Sequence, residues 1–587
     1  MNIGRFYISM ATIIILAVTA GIVNAVPHDL TLNNPPIRFA VIGDRTDHAT
    51  PGVYEEIVAE IENMKPDFVI TVGDAIQGYT TDTLTLKSEW DEYLSIIRPL
   101  TMPIYLTPGN HDITYDAALP IYCEKAGEPY YSFNVRNCHF IVLDVTRQEA
   151  SNQLPEDEME WLIKDLQSHM NAAQTLVFYH KPFWYDSIVM GKPDTLHSLF
   201  KSYGVDAVFN GHLHTYFSTK IDGIQYTALG SSGGIIDAVP SDLDYHFTWV
   251  TIDDKGISIA PIKKGSIKPW DIVSASEEHV VDDISKNNMN FTSAAIVGGD
   301  LKVNNSAVKL ELKNKSDQTF NDTLRWQIPD GWEIGPSSEQ ISIPPGESKE
   351  IEFRINSTGK LYPLPVITTH FPYAEKKTIP VSRELRIARM AMAQPKMFRS
   401  SSIDGKVDSN SWCCPQINLI GPDGGKSAVE PTRFYFSHYR DTLYIATHCT
   451  ESNMKALKAD VKEHDGPING EDCVGFFIQP NLQIDTAYQI YFNPNGISFD
   501  QKIYIGNLGY YTGDKTWDGI YTAKTYLGDD YWDIEIIIPL SQFDVTGKDG
   551  EKFGLNFLRK QKRLNTSGAW QIPVDYDPKT FGILHLN

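Results

Sequence analysis

Five short segments in the first half of the chain share one design: an apolar run that ends on a residue able to bind a metal or move a proton. They are Asp44 in "VIGD", Asp74 in "VITVGD", Asn110 and His111 in "YLTPGNHD", His180 in "LVFYHKP", and His212 with His214 in "VFNGHLH". Carboxylate, amide oxygen and imidazole without thiolate suit manganese, iron or zinc rather than calcium. Two acids, one amide and three imidazoles are more donors than one tetrahedral ion accepts. They suit two ions sharing a carboxylate, about 3.5–4 Å apart, which clamp the attacking and leaving oxygens of an in-line displacement at phosphorus, with metal-bound hydroxide as nucleophile. Each segment alone is weak, since "GD" after a strand is usually a turn and a strand-end histidine is usually structural. "GNHD" and "GHLH" are rarer, and glycine before each polar group lets the backbone approach closely.

The elements that must position these residues alternate. "FAVIGD", "PDFVITVGD" and "MPIYLTPGN" read as strands, with helical spacing in "GVYEEIVAEIENM" and "LKSEWDEYLSIIRPL" between them. "YYSFNV", "CHFIVLDV", the helix "EDEMEWLIKDLQSHM", "QTLVFYH" and "VDAVFNGH" follow. This is an α/β layer pattern. In an open α/β sheet, ligands bind beyond the carboxyl ends of the strands, so all five segments would converge on one rim.

These motifs resemble the calcineurin-like metallophosphoesterases, whose pattern is D-x-H, GD, GNH(D/E), H and GHxH. The resemblance covers Arg38 to about Ile262, within a unit placed at 30–270. It implies a four-layer α/β-β/α sandwich and two divalent or trivalent ions, manganese, iron or zinc. Asp44 and His214 would bind the first ion and Asp74 would bridge. Asn110, His180 and His212 would bind the second. His111 would contact the phosphate and help protonate the leaving oxygen, with Asp112 orienting it. The departure is D-x-H, which reads "DRT", so Thr46 stands where a ligand is expected. Three readings stay open: Asp47 or His48 reaches the metal, water completes the shell, or the first site is weak. The purple acid phosphatases also lack this histidine but supply a tyrosine three residues after the bridging aspartate. That position is Gln77, with Tyr79 further on, and the sequence alone does not assign the chain to them. Arg45 is a candidate for binding substrate phosphate through its guanidinium fork, or a surface ion pair. Trp184 and Tyr185 would either wall the substrate cleft or cover the metal site. Asp144 reads as structural.

The rest of the chain is β-rich. Residues 285–385 carry short alternating strands separated by turns such as "PPGES", an immunoglobulin-type β-sandwich pattern. A linker is expected from Val381 to Ser401. Residues 395–587 resemble a family 9 carbohydrate-binding module, on "DTLYIATHC", "EDCVGFFIQP", "AYQIYFNPNG" and "WDIEIIIP". That implies a second β-sandwich and a carbohydrate partner, with Trp412, Trp517, Trp532 and Trp570 either stacking on sugar or filling the core. The expected fold is thus multidomain, α/β followed by two all-β sandwiches, as 587 residues exceed one core.

The net charge of -23 repels phosphate backbones, so no nucleic-acid scaffold is expected. Residues 1–25 read as a secretory signal, with Arg5 before "ATIIILAVTAGIV" and "VNA" as cleavage site, and no transmembrane anchor is expected. The protein is then extracellular or periplasmic. Export permits disulfides, and Cys123–Cys138 and Cys449–Cys473 are the plausible pairs. The function expected is a secreted metal-dependent phosphohydrolase acting on a phosphate mono- or diester, held near a glycan or cell surface. The alternative is an inactive surface or carbohydrate-binding protein with a degenerate phosphoesterase domain.

Overall fold

The computed structural model describes residues 36–47, 49–236, 243–374, 377–395, 403–408, 412–506 and 511–587. The expected secretory signal lies outside the described residues. Among the described residues no helix is long and apolar enough to cross a membrane.

The first unit holds two six-stranded sheets. One contains β1 (Ile37–Ile42), β2 (Phe68–Thr71) and β3 (Ile104–Tyr105) in parallel, extended antiparallel from β1 by a meander over His246–Asp253, Gly256–Lys263 and Ser266–Ile267. The other contains β4 (Tyr131–Val135), β5 (Cys138–Val142), β6 (Gln174–Phe178) and β7 (Ala207–Asn210), closed by the hairpin Phe217–Ile221 and Ile224–Ala228. Phe39 and Phe68 from the first sheet pack on Phe140 and Phe178 from the second, all fully buried. The opposite face of the first sheet is covered by α1 (Val53–Met64) and α2 (Thr83–Ile97). In α1 the buried side chains Tyr54, Ile57, Val58 and Ile61 fall at i, i+3, i+4 and i+7, one helical stripe. The outer face of the second sheet is covered by Glu156–Ser168, Phe183–Met190 and Thr195–Tyr203, the last capped by Asp194.

One helix departs from the expected all-β character beyond Asp271. Ala275–Asn287 is a helix opened by a reciprocal capping box between Ser274 and Glu277, and it packs on Phe183–Met190 and Phe217–Ile221. The S-x-x-E spacing was its sequence signal.

The remainder is dominated by strands. A four-stranded sheet takes Phe320–Gln327, Ser338–Ile343, Val366–Ala374 and Lys377–Glu384. The other strands join one continuous 17-stranded sheet. The expected linker is the seam of that sheet: Ile387–Pro395 pairs in parallel with Ala295–Val297, with Thr432–Tyr439 and with Gly582–Leu586. Its apolar alternation, with Ile387, Ala391 and Ala393 buried, marks a strand rather than a spacer.

All six cysteines are free thiols, which corrects the expected pairs. Strand alternation explains the second: Cys449 points into the core around Phe476 and Trp532, while Cys473 points to the opposite face with Phe477 and Tyr491. Cys123 lies exposed on a helix and Cys138 is buried between the sheets. Trp412, Trp532 and Trp570 are buried, and Trp517 packs against Tyr488 and Phe543, so none of these rings is a bare stacking platform.

Candidate metal centre

Strands β1, β2, β6 and β7 stop at the same rim, and their last turns carry the polar residues inward. Asp44 and His180 are fully buried, and Asp74 is nearly so. Room for the carboxylates comes from glycine. A Cβ at Gly109 would fall on the Asp74 carboxylate, and one at Gly211 would lie 2.7 Å from Asp44 Oδ1. Asp74, His212 and His214 adopt left-handed backbone with φ of 57°, 77° and 54°. Non-glycine residues pay for that conformation, which persists where surrounding structure enforces it, as at binding sites.

The backbone contacts fix each donor. Asp44 Oδ2 accepts from His212 N at 3.0 Å, and Asp74 Oδ1 accepts from His111 N at 2.9 Å. His180 Nδ1 donates to Val72 O at 2.8 Å and His214 Nδ1 to Ile235 O at 3.0 Å. An imidazole that gives its Nδ1 proton to a carbonyl presents Nε2 as the ligating atom. Ser232 braces the β1 loop from behind: its N donates to Asp44 O, and its Oγ accepts from Gly43 N, both at 2.8 Å.

Two overlapping groups result. Asp74, His180 and His212 bring one ligand atom each within 4.8 Å of one another, and so do Asp44, Asp74 and His214. Asp74 belongs to both. Two buried polar atoms at this rim, Asp44 Oδ1 and Asn110 Oδ1, have no hydrogen-bond partner, while His180 Nε2 lies 3.1 Å from Asp74 Oδ2. Buried polar atoms are normally paired, so the two orphaned oxygens fit a cation's ligand set. The charge balance agrees. Burial pushes the Asp44 carboxyl up from its ordinary range, with His180 and His214 only partly opposing it. Burial disfavours the His180 imidazolium, yet Asp74 and then Asp44 outweigh it and push its pKa up to about 9. Burial and then His180 push His212 well below the ordinary histidine value, leaving a neutral donor. A metal ion would take the place of the proton that the carboxylates hold on His180.

The structure revises several sequence assignments. Asp112 does not orient His111. It is buried behind the loops and accepts from the backbone N–H of Asp74, Ala75, Ile76 and Gly109 at 2.8–3.1 Å, so it clasps the "GD" and "GNHD" turns together. Burial, then Asp74, pushes its pKa up to about 7, while those N–H donors favour the ionised form. His111 is instead oriented by the carbonyl of Gln77, which its Nδ1 meets at 2.7 Å. Arg45 is committed to Glu92 at 2.7 Å and to Ala75 O at 3.3 Å, so it braces the loop and is not placed to clamp phosphate. Trp184 is core, donating to Asn210 Oδ1 at 2.7 Å, and Tyr185 packs on Phe217. Asp144 keeps its expected structural role, accepting from Thr146 in a tight turn.

At the departure from D-x-H, Thr46 is buried and its hydroxyl has no hydrogen-bond partner. Asp47 lines the cavity with His212 and His214 but belongs to neither three-residue group. His48 lies outside the described residues. Tyr79 is a rim residue that sequence spacing did not assign. Its hydroxyl accepts from Asn110 Nδ2 at 2.9 Å, and its ring meets His111 edge-on at 4.5 Å. It stands two positions beyond Gln77, where a fixed-spacing search stops.

Residues 37–216 match the family model described as calcineurin-like phosphoesterase. Among curated proteins the chain is similar to purple acid phosphatase 15 of Arabidopsis thaliana, 26% identical over 248 residues, covering 34% of this chain and 45% of that one. The chain thus spans about half the length of the curated relatives it matches. Among solved structures, it is similar to a dimetal phosphatase from Danio rerio at 13% identity and a TM-score of 0.33, covering 41% of this chain and 100% of that one. A family 9 carbohydrate-binding module from Caldicellulosiruptor kristjanssonii, in complex with cellotriose, is similar at 18% identity and a TM-score of 0.25, covering 34% of this chain and 93% of that one.

Proposed function

We propose, from the premise that residues 37–216 are a calcineurin-like phosphoesterase domain, that the protein is a metal-dependent phosphohydrolase cleaving a phosphate mono- or diester. The observation that carries the reading is the pair of donor groups sharing Asp74, with the buried oxygens Asp44 Oδ1 and Asn110 Oδ1 left without partners. In this reading Asp44 and His214 would hold one ion, Asn110, His180 and His212 would hold the other, and Asp74 would serve both. Two such ions, when bound, supply Lewis acidity and lower the pKa of water.

The chain's own residues do the rest. Asp44 and Asp74 neutralise cationic charge and leave an electrophilic rim for an anionic phosphate. His180 and His214, held by carbonyls at Nδ1, keep their Nε2 atoms aimed inward. His111 gives its Nδ1 proton to Gln77 O, so Nε2 is the atom left to meet the ester. Protonated there, it donates to the leaving oxygen, and Asp74 Oδ2 at 3.9 Å faces that proton. Asp112 is a positioning residue, because it holds the turns that carry Asp74 and His111 in register.

The reading extends to the whole chain. The first unit, 30–270, is a four-layer sandwich. Residues 285–385 form an immunoglobulin-like sandwich and 395–587 a carbohydrate-binding-module-like one, which holds the enzyme at a glycan or cell surface after export. The test is turnover of p-nitrophenyl phosphate and bis-p-nitrophenyl phosphate by the chain from Val26 onward, supplied with manganese, iron or zinc. His111→Ala is expected to lower kcat by about 10²–10⁴, the usual contribution of a positioned acid. No turnover of either ester with any of the metals would leave the binding-protein alternative, to be followed by glycan screening.

A further inference from the structure

The cavity in front of His212 and His214 has a volume of about 750 Å³ and is built by two distant parts of the chain. One side comes from the first unit and includes Asp47, Glu149 and Asp186. The other is contributed by the antiparallel hairpin Ser498–Ile505 and Tyr511–Asp514 of the carboxy-terminal region, through Tyr504, Ile505 and Tyr511. The hairpin register sets Tyr504 opposite Thr512 and Ile505 opposite Tyr511. Tyr504 and Ile505 stay 40% and 42% exposed, so their large faces meet open space rather than core. The seating extends beyond the hairpin. Lys515 Nζ lies 5.8 Å from the ring centre of Tyr115, in the loop that follows His111. Lys458 and Lys562 act electrostatically on Asp82, just before α2. Several separate segments of the first unit, including those of Asp47, Tyr115 and Asp82, therefore face the carboxy-terminal region.

Among the described residues the lining includes three carboxylates and no lysine or arginine. Lys192 acts electrostatically on Asp186. Glu149 pairs with Lys181 at 2.7 Å. A phosphate held at the metal groups would be neutralised there, but further phosphates on the leaving group would meet a lining whose described residues supply no cation to pair them. Aromatic and aliphatic faces opposite the histidines favour a flat or ring-shaped group.

We propose that this hairpin is the leaving-group wall of the active site, and that it selects phosphate esters of uncharged, ring-bearing alcohols over polyanionic esters. The proposal rests on the phosphohydrolase reading above. In it the carboxy-terminal region is part of the substrate site, whatever surface it also binds. Tyr504 and Ile505 are specificity residues and take no part in proton transfer.

The test compares kcat/KM for p-nitrophenyl phosphate with that for adenosine triphosphate, using the manganese-loaded full chain and two variants. Ile505→Lys adds a cation at an exposed position. It is expected to shift the ratio toward adenosine triphosphate by about threefold or more, the scale of one exposed ion pair. Tyr504→Ala removes the ring face and is expected to shift the ratio the same way by up to about tenfold. The first variant guards against a misfolded second one, because a gain toward the polyanion requires a folded site. Ratios unchanged in both variants, with the wild type active, would overturn the wall and leave the hydrolase reading standing. No turnover of either compound by the wild-type chain would overturn the hydrolase reading and the wall with it.

Discussion

Two buried polar clusters in this protein look alike on a list of residues and differ in balance. At the metal rim, Asp44, Asp74 and Asp112 are buried with His180, and polar atoms are left without partners. In the carboxy-terminal region, Glu451 and Arg559 are fully buried in a network with Gln561, Arg563 and Glu430. There Glu451 receives Arg563 Nε at 2.7 Å and Gln561 Nε2 at 2.6 Å, while Arg559 donates to Thr450 O and Thr432 Oγ1. Cations match anions, and although Arg559 Nε also lacks a hydrogen-bond partner, the Glu451 carboxylate is filled by the chain itself. The first cluster is short of positive charge and the second is not. A balanced cluster specifies a fold, whereas an unbalanced one calls for a ligand.

The contrast is broken most sharply by Asp44→Asn. In the account it ends metal-dependent turnover, yet makes the metal-free chain more stable at pH 7, because burial opposes ionisation of Asp44. Thermal melts with and without manganese check this. The wild type gains about 3 kcal/mol at a metal concentration a hundred times Kd, and the variant, which keeps only the Asp74, His180 and His212 group, gains less. The matching change in the balanced cluster, Glu451→Ala, is expected to cost about 3–5 kcal/mol, as for any buried pair stripped of one partner. Denaturant midpoints measure that loss, and metal content stays at the wild-type level.

The metal rim was largely legible in the sequence, for a physical reason. A parallel strand is a continuous apolar run, and its carboxyl end falls where that run stops, so Asp44, Asp74, Asn110, His180, His212 and His214 could be placed on one edge without coordinates. What was not legible depends on contacts between loops. Asp112 clasps backbone N–H groups of Asp74, Ala75 and Ile76, residues on a different turn, and no local spacing encodes that. Tyr79 and Gln77 reach the site through a turn whose shape is set by positive φ at Gly78 and Tyr79. The strand Ile387–Pro395 falls inside the linker expected from Val381 to Ser401, because its partners lie far away in sequence. The facing hairpin was invisible for the same reason.

A smaller effect sharpens the comparison through acid. His246 sits behind the Asp44 loop. Its Nδ1 donates to Asp244 O at 2.8 Å and its Nε2 accepts from Gly230 N at 3.3 Å, so the ring is neutral. Burial pulls its pKa down from 6.5 to about 4. Between those values the unfolded chain binds more protons than the folded one, so this contribution is present above pH 6.5 and lost as pH falls toward 4. The loss is about 3 kcal/mol across that window. Urea unfolding of the wild type and His246→Gln at a series of pH values measures it, and the variant should lose this part of the slope. Smaller still is Asp112→Asn, which removes an acceptor from the clasp. Metal affinity is expected to fall about 10–100-fold, the scale for groups that orient ligands, and competition with a chelator measures it.

The most direct test of the central claim is metal content of the full chain after reconstitution with manganese, iron or zinc, beside Asp74→Asn. The account predicts about two ions per wild-type chain and loss of both in the variant, since one carboxylate serves both groups. No bound metal in the wild type, or two ions kept by Asp74→Asn, would contradict it.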